Sequence, residues 1–315
     1  MDGPRGAEFA SAGSGELTAM LATRPSSRHS KRTNHLAFSM CAVLMLNSTA
    51  CVRPIPRVTL EPITLALAAG IVNRNIASVS GTLRAVGSVD GHFATPEGNR
   101  RSYHLDGTLF FLSPGYIRFD LRTFGDTQML FGSNRDQYWC YNKHDDSWYC
   151  GTHDGTLSQP HNLPARPDQL VAALGLTPIP IDTHGRSTHP RFRAVQRVVD
   201  EAQQVLFIAS RPGGQAVIER EIWLDRYPPQ LVRRVVYRDT DGVVDMESLL
   251  DDYRRMGEDG PLLPMSMTAR WPKLDADMRF DVRQWSTVSQ VGPTSIQFAT
   301  PKDCANGKSM DQPGG

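Results

Sequence analysis

The chain has 315 residues, 40 % of them hydrophobic and 21 % charged, with 34 Lys and Arg against 33 Asp and Glu and a formal net charge of +1. Near-neutrality leaves no electrostatic footprint for nucleic acid, and no basic face is apparent along the sequence. The length suffices for a sizeable buried core, in one large β domain or two small ones.

Residues 1–27 are rich in Gly, Ser and Ala and look like part of no fold; a start at Met20 would give a more usual leader length. Arg28, Lys31 and Arg32 then precede an apolar run of 11 residues, Leu36 to Leu46, and the small residues Ser48, Thr49 and Ala50, directly before Cys51. Charge, apolar run and small residues in that order make a secretory signal, and the cysteine at the cut resembles a bacterial lipoprotein processing site with lipid on Cys51. Ser48 stands where such sites usually carry Leu, so an ordinary cleavage nearby or an uncleaved anchor are the alternatives. A membrane span needs about 20 residues, which disfavours the anchor. Cleavage before Cys51 removes five basic and three acidic residues, leaving 29 against 30 in a mature chain of 265.

Pro54 and Pro56 mark a short stalk, residues 51–58. Thr59 can cap a helix with Pro62 in its first turn, and Ile63, Leu67, Ile71 and Val72 recur at helical spacing to about Asn75. From Ser80 the period becomes two. Ser102 to Leu112 aligns Tyr103, Leu105, Leu109 and Phe111, and after the turn Ser113-Pro114-Gly115 the next strand alternates Ile117, Phe119 and Leu121 with Arg118, Asp120 and Arg122. Strands over 126–133, 137–142 and 147–152 follow, and turns this short make them an antiparallel meander.

Residues 153–193, rich in Pro, His and Gly, interrupt the strands, and only Pro167 to Leu174, stopped by Gly175, has helical character. An interruption of this length suits a lid, as does the Gly- and Pro-containing stretch 257–264. Strands resume over 193–200, 203–210, 216–224, 230–238, 243–253 and 278–285, with a last one expected near 296–298. Eleven or twelve antiparallel strands exceed what an open twisted sheet holds without curling. The fold class is therefore mainly β: a large curved antiparallel sheet forming a half-barrel, closed by the N-terminal helix and a short helix or loop lid. Its expected concave lining is Leu105, Leu109, Phe111, Ile117, Phe119, Leu121, Phe280 and Val282, with Arg118, Asp120, Arg122, Arg279, Asp281 and Arg283 on the solvent side. Periodicity does not separate a cavity lining from a plainly packed core.

The run Leu109-Phe110-Phe111-Leu112-Ser113-Pro114-Gly115-Tyr116-Ile117-Arg118-Phe119-Asp120 follows a helix and the strand Val79 to Val89, and precedes Gln137-Tyr138-Trp139. With Glu221-Ile222-Trp223-Leu224-Asp225 and the segments 228–238, 264–271 and 278–285, it resembles the LolA/LolB-like lipoprotein carrier and receptor superfamily over residues 60–300. The resemblance implies a half-barrel whose interior holds acyl chains of lipids or lipoproteins. It also implies a cell-envelope protein, lipid-anchored through Cys51 as the receptor type is, on the outer membrane facing the periplasm, with an envelope protein as a further partner. The alternative is a structural envelope lipoprotein with a filled core that acts by contacting proteins. The implied domains are 1–50 leader, 51–58 stalk, 59–300 half-barrel and 301–315 tail.

Cys140 and Cys150 lie symmetrically about Asp145 on successive strands, which puts them on one face and makes a cross-strand disulfide the expectation, with Cys304 unpaired in the tail; other pairings stay open. His144, Asp145, Asp146, His153, Asp154 and His161 cluster nearby without any zinc spacing, and a solvated turn accounts for them. No nucleophile elbow, metalloprotease helix or phosphate loop occurs, so neither enzyme chemistry nor a cofactor is expected. Tyr138, Trp139, Tyr141, Trp148 and Tyr149 crowd one hairpin, as cavity mouth, membrane contact or ordinary cross-strand pairs.

Overall fold

The computed structural model describes residues 63–94, 100–153, 167–200, 202–210, 214–239 and 241–310. Cys51, the leader and the stalk lie outside the described residues, as do Asp154 and His161. All described residues belong to one compact unit, Thr59–Gly315.

Helix α1 is Leu65–Ala77 and helix α2 is Pro167–Ala173. The strands are β1 (Thr82–Ala94), β2 (Arg100–Leu112), β3 (Tyr116–Thr123), β4 (Asp126–Ser133), β5 (Gln137–Asn142), β6 (Ser147–Thr152), β7 (Phe192–Val199), β8 (Ala202–Ser210), β9 (Ala216–Asp225), β10 (Val232–Arg238), β11 (Val244–Arg255), β12 (Leu262–Trp271), β13 (Ala276–Val288) and β14 (Lys308–Ser309). They form one 14-stranded sheet in the order β14-β6-β5-β4-β3-β2-β1-β13-β12-β11-β10-β9-β8-β7. The chain runs outward through β1 to β6, starts again at the opposite edge with β7, and returns to pair β13 with β1. The sheet is open and curved, not closed into a barrel.

Short polar turns dictate the antiparallel neighbours, and every pairing is antiparallel except β14 with β6. The buried apolar side chains of β1 to β5 and β8 to β13 form one cluster with Ala69 and Val72 of α1, Leu170 of α2 and Leu174 just after it. Helix α2 packs against β4, β5 and β11, which places it across both halves of the meander. Charges dominate the other face. Asp120, only 5 % exposed, is held there by Arg118 at 3.0 Å and Arg122 at 3.5 Å, so this carboxylate expected in water is covered by its two neighbours on the strand.

Four expectations need correction. Helix α1 begins at Leu65, with Thr64 as its cap, the Thr64 hydroxyl accepting from the Leu67 amide at 3.3 Å; Thr59, the expected cap, lies outside the described residues. Residues 296–298 form a single 3-10 turn that buries Phe298 against Tyr116, where three residues and no neighbouring strand cannot make a ladder. The stretch after Pro301 is no loose tail up to Met310: a 3-10 helix over Lys302–Asn306 leads into β14, and Met310 is buried. Lastly, Cys150 is bonded to Cys304, and Cys140 is a free, buried thiol.

The register explains the last correction. Across β5 and β6, Cys140 faces Tyr149 and Cys150 faces Trp139, so the hairpin is centred between His144 and Asp145 and not on Asp145. A one-residue offset in a period-two structure puts the two cysteines on opposite faces. Cys140 points into the core, and Cys150 meets the returning C-terminal segment, whose Met310 amide also donates to the Cys150 carbonyl at 2.8 Å.

Candidate functional site

The eight residues expected to line a hollow come from three strands that are close in the sheet. Leu105, Leu109 and Phe111 lie on β2, Ile117, Phe119 and Leu121 on β3, and Phe280 and Val282 on β13. The register sets Leu109 opposite Phe119 and Phe111 opposite Ile117, and the rings of Phe119 and Phe280 stand 5.0 Å apart. The structure therefore brings all eight to one face. There they are 0–8 % exposed, enclosed by the protein's own side chains.

Open space lies elsewhere, under α1. A cavity of about 190 Å³ is bounded by Ile71, Val72, Asn75 and Ile76 of α1, Gly175 and Leu176 after α2, the turn 229–231 with Val232, Tyr253 and Arg255 of β11, and Leu262 and Pro264 of β12. Val72, Ile76, Leu176 and Val232 are also members of the buried core, so the cavity abuts the covered inner face.

Each wall has a local cause. Asn75 clamps α1 to the start of β12: its amide donates to the Leu262 carbonyl at 2.9 Å and its oxygen accepts from the Leu262 amide at 2.8 Å. Asn73 holds Ile179 in the same two-bond manner, at 2.9 and 2.7 Å. Gly175, at φ +67°, turns the chain sharply after α2; a Cβ there would stand 2.7 Å from Leu250 Cδ1 and 3.6 Å from the Tyr253 hydroxyl. Asp252, at φ +48°, interrupts the alternation of β11, so Leu250 and Tyr253 both reach this side. The Tyr253 hydroxyl donates to the Val232 carbonyl at 2.6 Å, and burial pushes its pKa far above the ordinary phenol value while Arg233 pulls the other way. It is thus a fixed neutral donor at any physiological pH.

The covered inner face is not wholly apolar. The Ser248 hydroxyl, the Trp271 indole nitrogen and the Gln169 side-chain oxygen are buried with no hydrogen-bond partner among the described residues. Ser248 pairs with Ala269 on β12, and Trp271 is two residues further along the same strand face. Gln169 sits on α2, its amide nitrogen bonded to Asp245 of β11 at 3.0 Å. Burying such groups unpaired costs about 1–3 kcal/mol each.

One pair of side chains has the makings of a nucleophile and base. Ser133 lies 3.1 Å from His153 Nε2, yet the same nitrogen is 2.8 Å from the Asn134 carbonyl, which engages the atom that would have to accept the serine proton. Among the described residues no group of three His, Cys, Asp or Glu side chains is placed to hold a metal ion. Of the aromatic hairpin, Tyr138, Trp139 and Tyr149 are buried, and Tyr141 with Trp148 form a cross-strand pair with ring centres 5.1 Å apart.

Sequence reasoning missed the cavity wall and one exposed side chain. Gly175 was visible as a helix stop, but its closeness to Leu250 and Tyr253 is tertiary. Phe124, at the tip of the β3–β4 hairpin, is fully exposed at φ +50° beside Gly125 at φ +87°. Two left-handed central residues define the turn that Asn-Gly fills best, so a phenylalanine there breaks a local rule readable in the sequence.

No protein-family model and no curated protein matches the chain. Among solved structures it is similar to a domain described as an outer membrane lipoprotein-sorting protein from Vibrio parahaemolyticus, with 9 % identity over 73 % of this chain and 95 % of that one and a TM-score of 0.44. A DUF1329 family protein from Desulfovibrio piger is 10 % identical over 74 % of this chain and 96 % of that one, with a TM-score of 0.46. A LolA superfamily protein from Nitrosomonas europaea is 7 % identical over 70 % of this chain and 93 % of that one, with a TM-score of 0.43.

Proposed function

We propose that the chain is an acyl-chain-binding module of the cell envelope, anchored by lipid on Cys51 and seen here with its cover closed. The observation that carries this is the cavity under α1, whose walls Val72, Ile76, Leu176 and Val232 also belong to the buried core. At about 190 Å³ it is smaller than the ~300–1,000 Å³ of ordinary ligand pockets, so a long chain enters only if part of the cover moves.

The magnitudes permit that exchange. Displacing α2 uncovers Leu170, Val171 and Leu174, at roughly 1.5–3 kcal/mol per side chain. Each acyl methylene taken from water returns about 0.8 kcal/mol, so a chain of about ten offsets the loss. The unpaired Ser248 and Trp271 atoms of the inner face and the Gln169 oxygen on α2 itself favour the same opening, since a ligand oxygen or water can satisfy them. Helix α1, tied by four bonds through Asn73 and Asn75, is the fixed wall, and α2 is the moving part. Phe124 suits contact with a membrane surface, where a fully exposed ring finds an apolar phase.

Purified protein extracted for lipid mass spectrometry, and titrated with a fluorescent fatty acid, tests the proposal. Co-purifying acyl lipid or saturable binding is expected; absence of both removes it. The full burial of the eight-residue lining favours a second reading, a filled-core module that acts by contacting envelope proteins, and that negative result would select it.

A further inference from the structure

The cavity under α1 is lined by polar as well as apolar side chains, and two of the polar ones specify a head group. Arg255, the last residue of β11, lines it. Its neighbours in sequence and space are committed: Arg254 to Asp252 at 2.8 Å, and Arg233 to Asp225 at 2.9 Å and Asp251 at 3.2 Å. Arg255 has no such partner among the described residues; its one bond runs from Nη1 to the Gly260 carbonyl at 3.0 Å, leaving the other donors of the guanidinium open.

Gln230 supplies the second half of the site. It lines the same cavity and is only 4 % exposed. Its backbone is held at φ +54°, an uncommon state for a non-glycine residue. The other polar groups on the wall are occupied, Asn75 by both backbone groups of Leu262 and Tyr253 by the Val232 carbonyl. The Arg255 guanidinium, with donors left open, and the Gln230 amide line the same cavity as Ile71, Val72 and Leu176, a combination that matches a singly charged oxyanion carrying a hydrocarbon tail.

We infer that this cavity binds an anionic amphiphile of medium chain length, with its carboxylate or phosphate at Arg255 and Gln230 and its tail against Ile71, Val72 and Leu176. A cavity of about 150 Å³ accommodates benzene, so about 190 Å³ takes the equivalent of roughly seven or eight carbons without movement of the cover. The inference rests on the acyl-binding function proposed above and adds the head-group charge and the chain length that the closed state accepts.

Calorimetric titration of the purified chain with octanoate, octyl phosphate and octanol tests it, the two anions separating a fatty-acid source from a phosphate head group. At least one anion is expected to bind about tenfold more tightly than octanol, and to weaken as salt rises from about 50 to about 500 mM while octanol does not. Arg255→Gln is expected to bring the anion down to the octanol level and leave octanol within about twofold. Gln230→Gly, which removes the amide while easing the left-handed backbone, should act in the same direction. Ile71→Trp, filling the chamber from α1, should abolish all three, with a melting curve confirming the fold. Equal affinity for octanol and both anions, or an anion indifferent to Arg255→Gln, overturns the inference. If a long-chain fluorescent fatty acid still binds in that event, the acyl-binding function stands and only the head-group assignment falls; if nothing binds, both fall.

Discussion

Gly87 stands directly opposite Gly107 in the β1–β2 ladder, and one atom of the Phe280 ring, Cε2, lies about where both missing side chains would point: 2.9 Å from a Cβ built on Gly87 and 3.0 Å from one on Gly107. The pair sits at the seam of the two halves of the sheet, next to the register shift between Val86 and Gly87 against β13. Two strands without side chains, bridged by an aromatic ring from the third, let the sheet bend there.

Substitution at these glycines separates two kinds of crowding. A Cβ on Gly107 meets Val89 Cγ2 at 2.8 Å and the Phe280 and Phe119 rings at 3.0 and 3.2 Å, all side-chain atoms that can shift; Gly107→Ala is expected to cost about 1–3 kcal/mol, as overpacking does. A Cβ on Gly87 would stand 2.1 Å from the Asp281 carbonyl oxygen, and backbone cannot move aside without breaking the β1–β13 ladder. Gly87→Ala is therefore expected to destabilise more than Gly107→Ala in urea unfolding, and the reverse order would discredit the account of the seam.

The cysteine pairing has a direct chemical check. Peptide mapping under non-reducing conditions should recover a cross-linked species containing Cys150 and Cys304, and Cys140→Ala should leave it unchanged. The bridge closes a loop of 154 residues, so Cys304→Ser is expected to cost roughly 2–5 kcal/mol in stability. Recovery of a Cys140–Cys150 peptide instead would mean the hairpin register differs from Cys140 opposite Tyr149.

That hairpin marks the limit of what the residues disclose. Alternation with a short polar turn sets the ends of β4, β5 and β6 at 126–133, 137–142 and 147–152, as expected from the sequence alone. Which residue lies opposite which depends on whether the turn holds an odd or an even number of residues, and hydrophobic pattern is nearly blind to that when both strands bury aromatic side chains on both faces, as Tyr138 and Trp139 do. The Cys304 partner was beyond reach for another reason: the segment from Pro301 has no periodicity and is placed by the bridge and by Lys308 meeting Tyr149. The lining residues Leu105 to Val282 were legible as one face, but their enclosure was not, because it depends on how the buried cluster packs around both helices. Gln230 and Arg255 gave no local signal, since both matter only through the space between them and α1.

Acid should loosen the C-terminal segment first. Burial by itself would raise the pKa of Asp145, but hydrogen bonds from the Tyr149 hydroxyl and from Lys308, at 3.2 Å, outweigh it and hold the carboxyl below its ordinary value. A carboxyl depressed on folding stabilises fully above its unfolded pKa of about 3.9, and the contribution disappears as pH falls through the lower folded value. In the Cys304→Ser background, where the covalent tie is gone, proteolytic susceptibility of residues 302–310 should rise below about pH 4, and Asp145→Asn should show that susceptibility already at neutral pH. Equal protection of the segment at pH 7 with and without the Asp145 carboxylate would show that the Lys308 and Tyr149 contacts do not hold it.

Phe124 offers a test in which stability and function move in opposite directions. A bulky residue in the left-handed region costs about 1–2 kcal/mol relative to one that tolerates it, and the turn Thr123-Phe124-Gly125-Asp126 is closed by the Thr123–Asp126 pair, as an Asn-Gly turn would be. The ring gives nothing back within the fold, being fully exposed. Phe124→Asn should therefore raise the unfolding midpoint, by an amount corresponding to about 1 kcal/mol. If the tip contacts lipid, the same variant should lose affinity in vesicle sedimentation, since a buried phenylalanine contributes roughly 1.5–3 kcal/mol. Measured on a soluble chain beginning after Cys51, so that the anchor does not dominate, a stabilised variant with unchanged vesicle binding would detach Phe124 from the membrane and leave its place in the turn without a function.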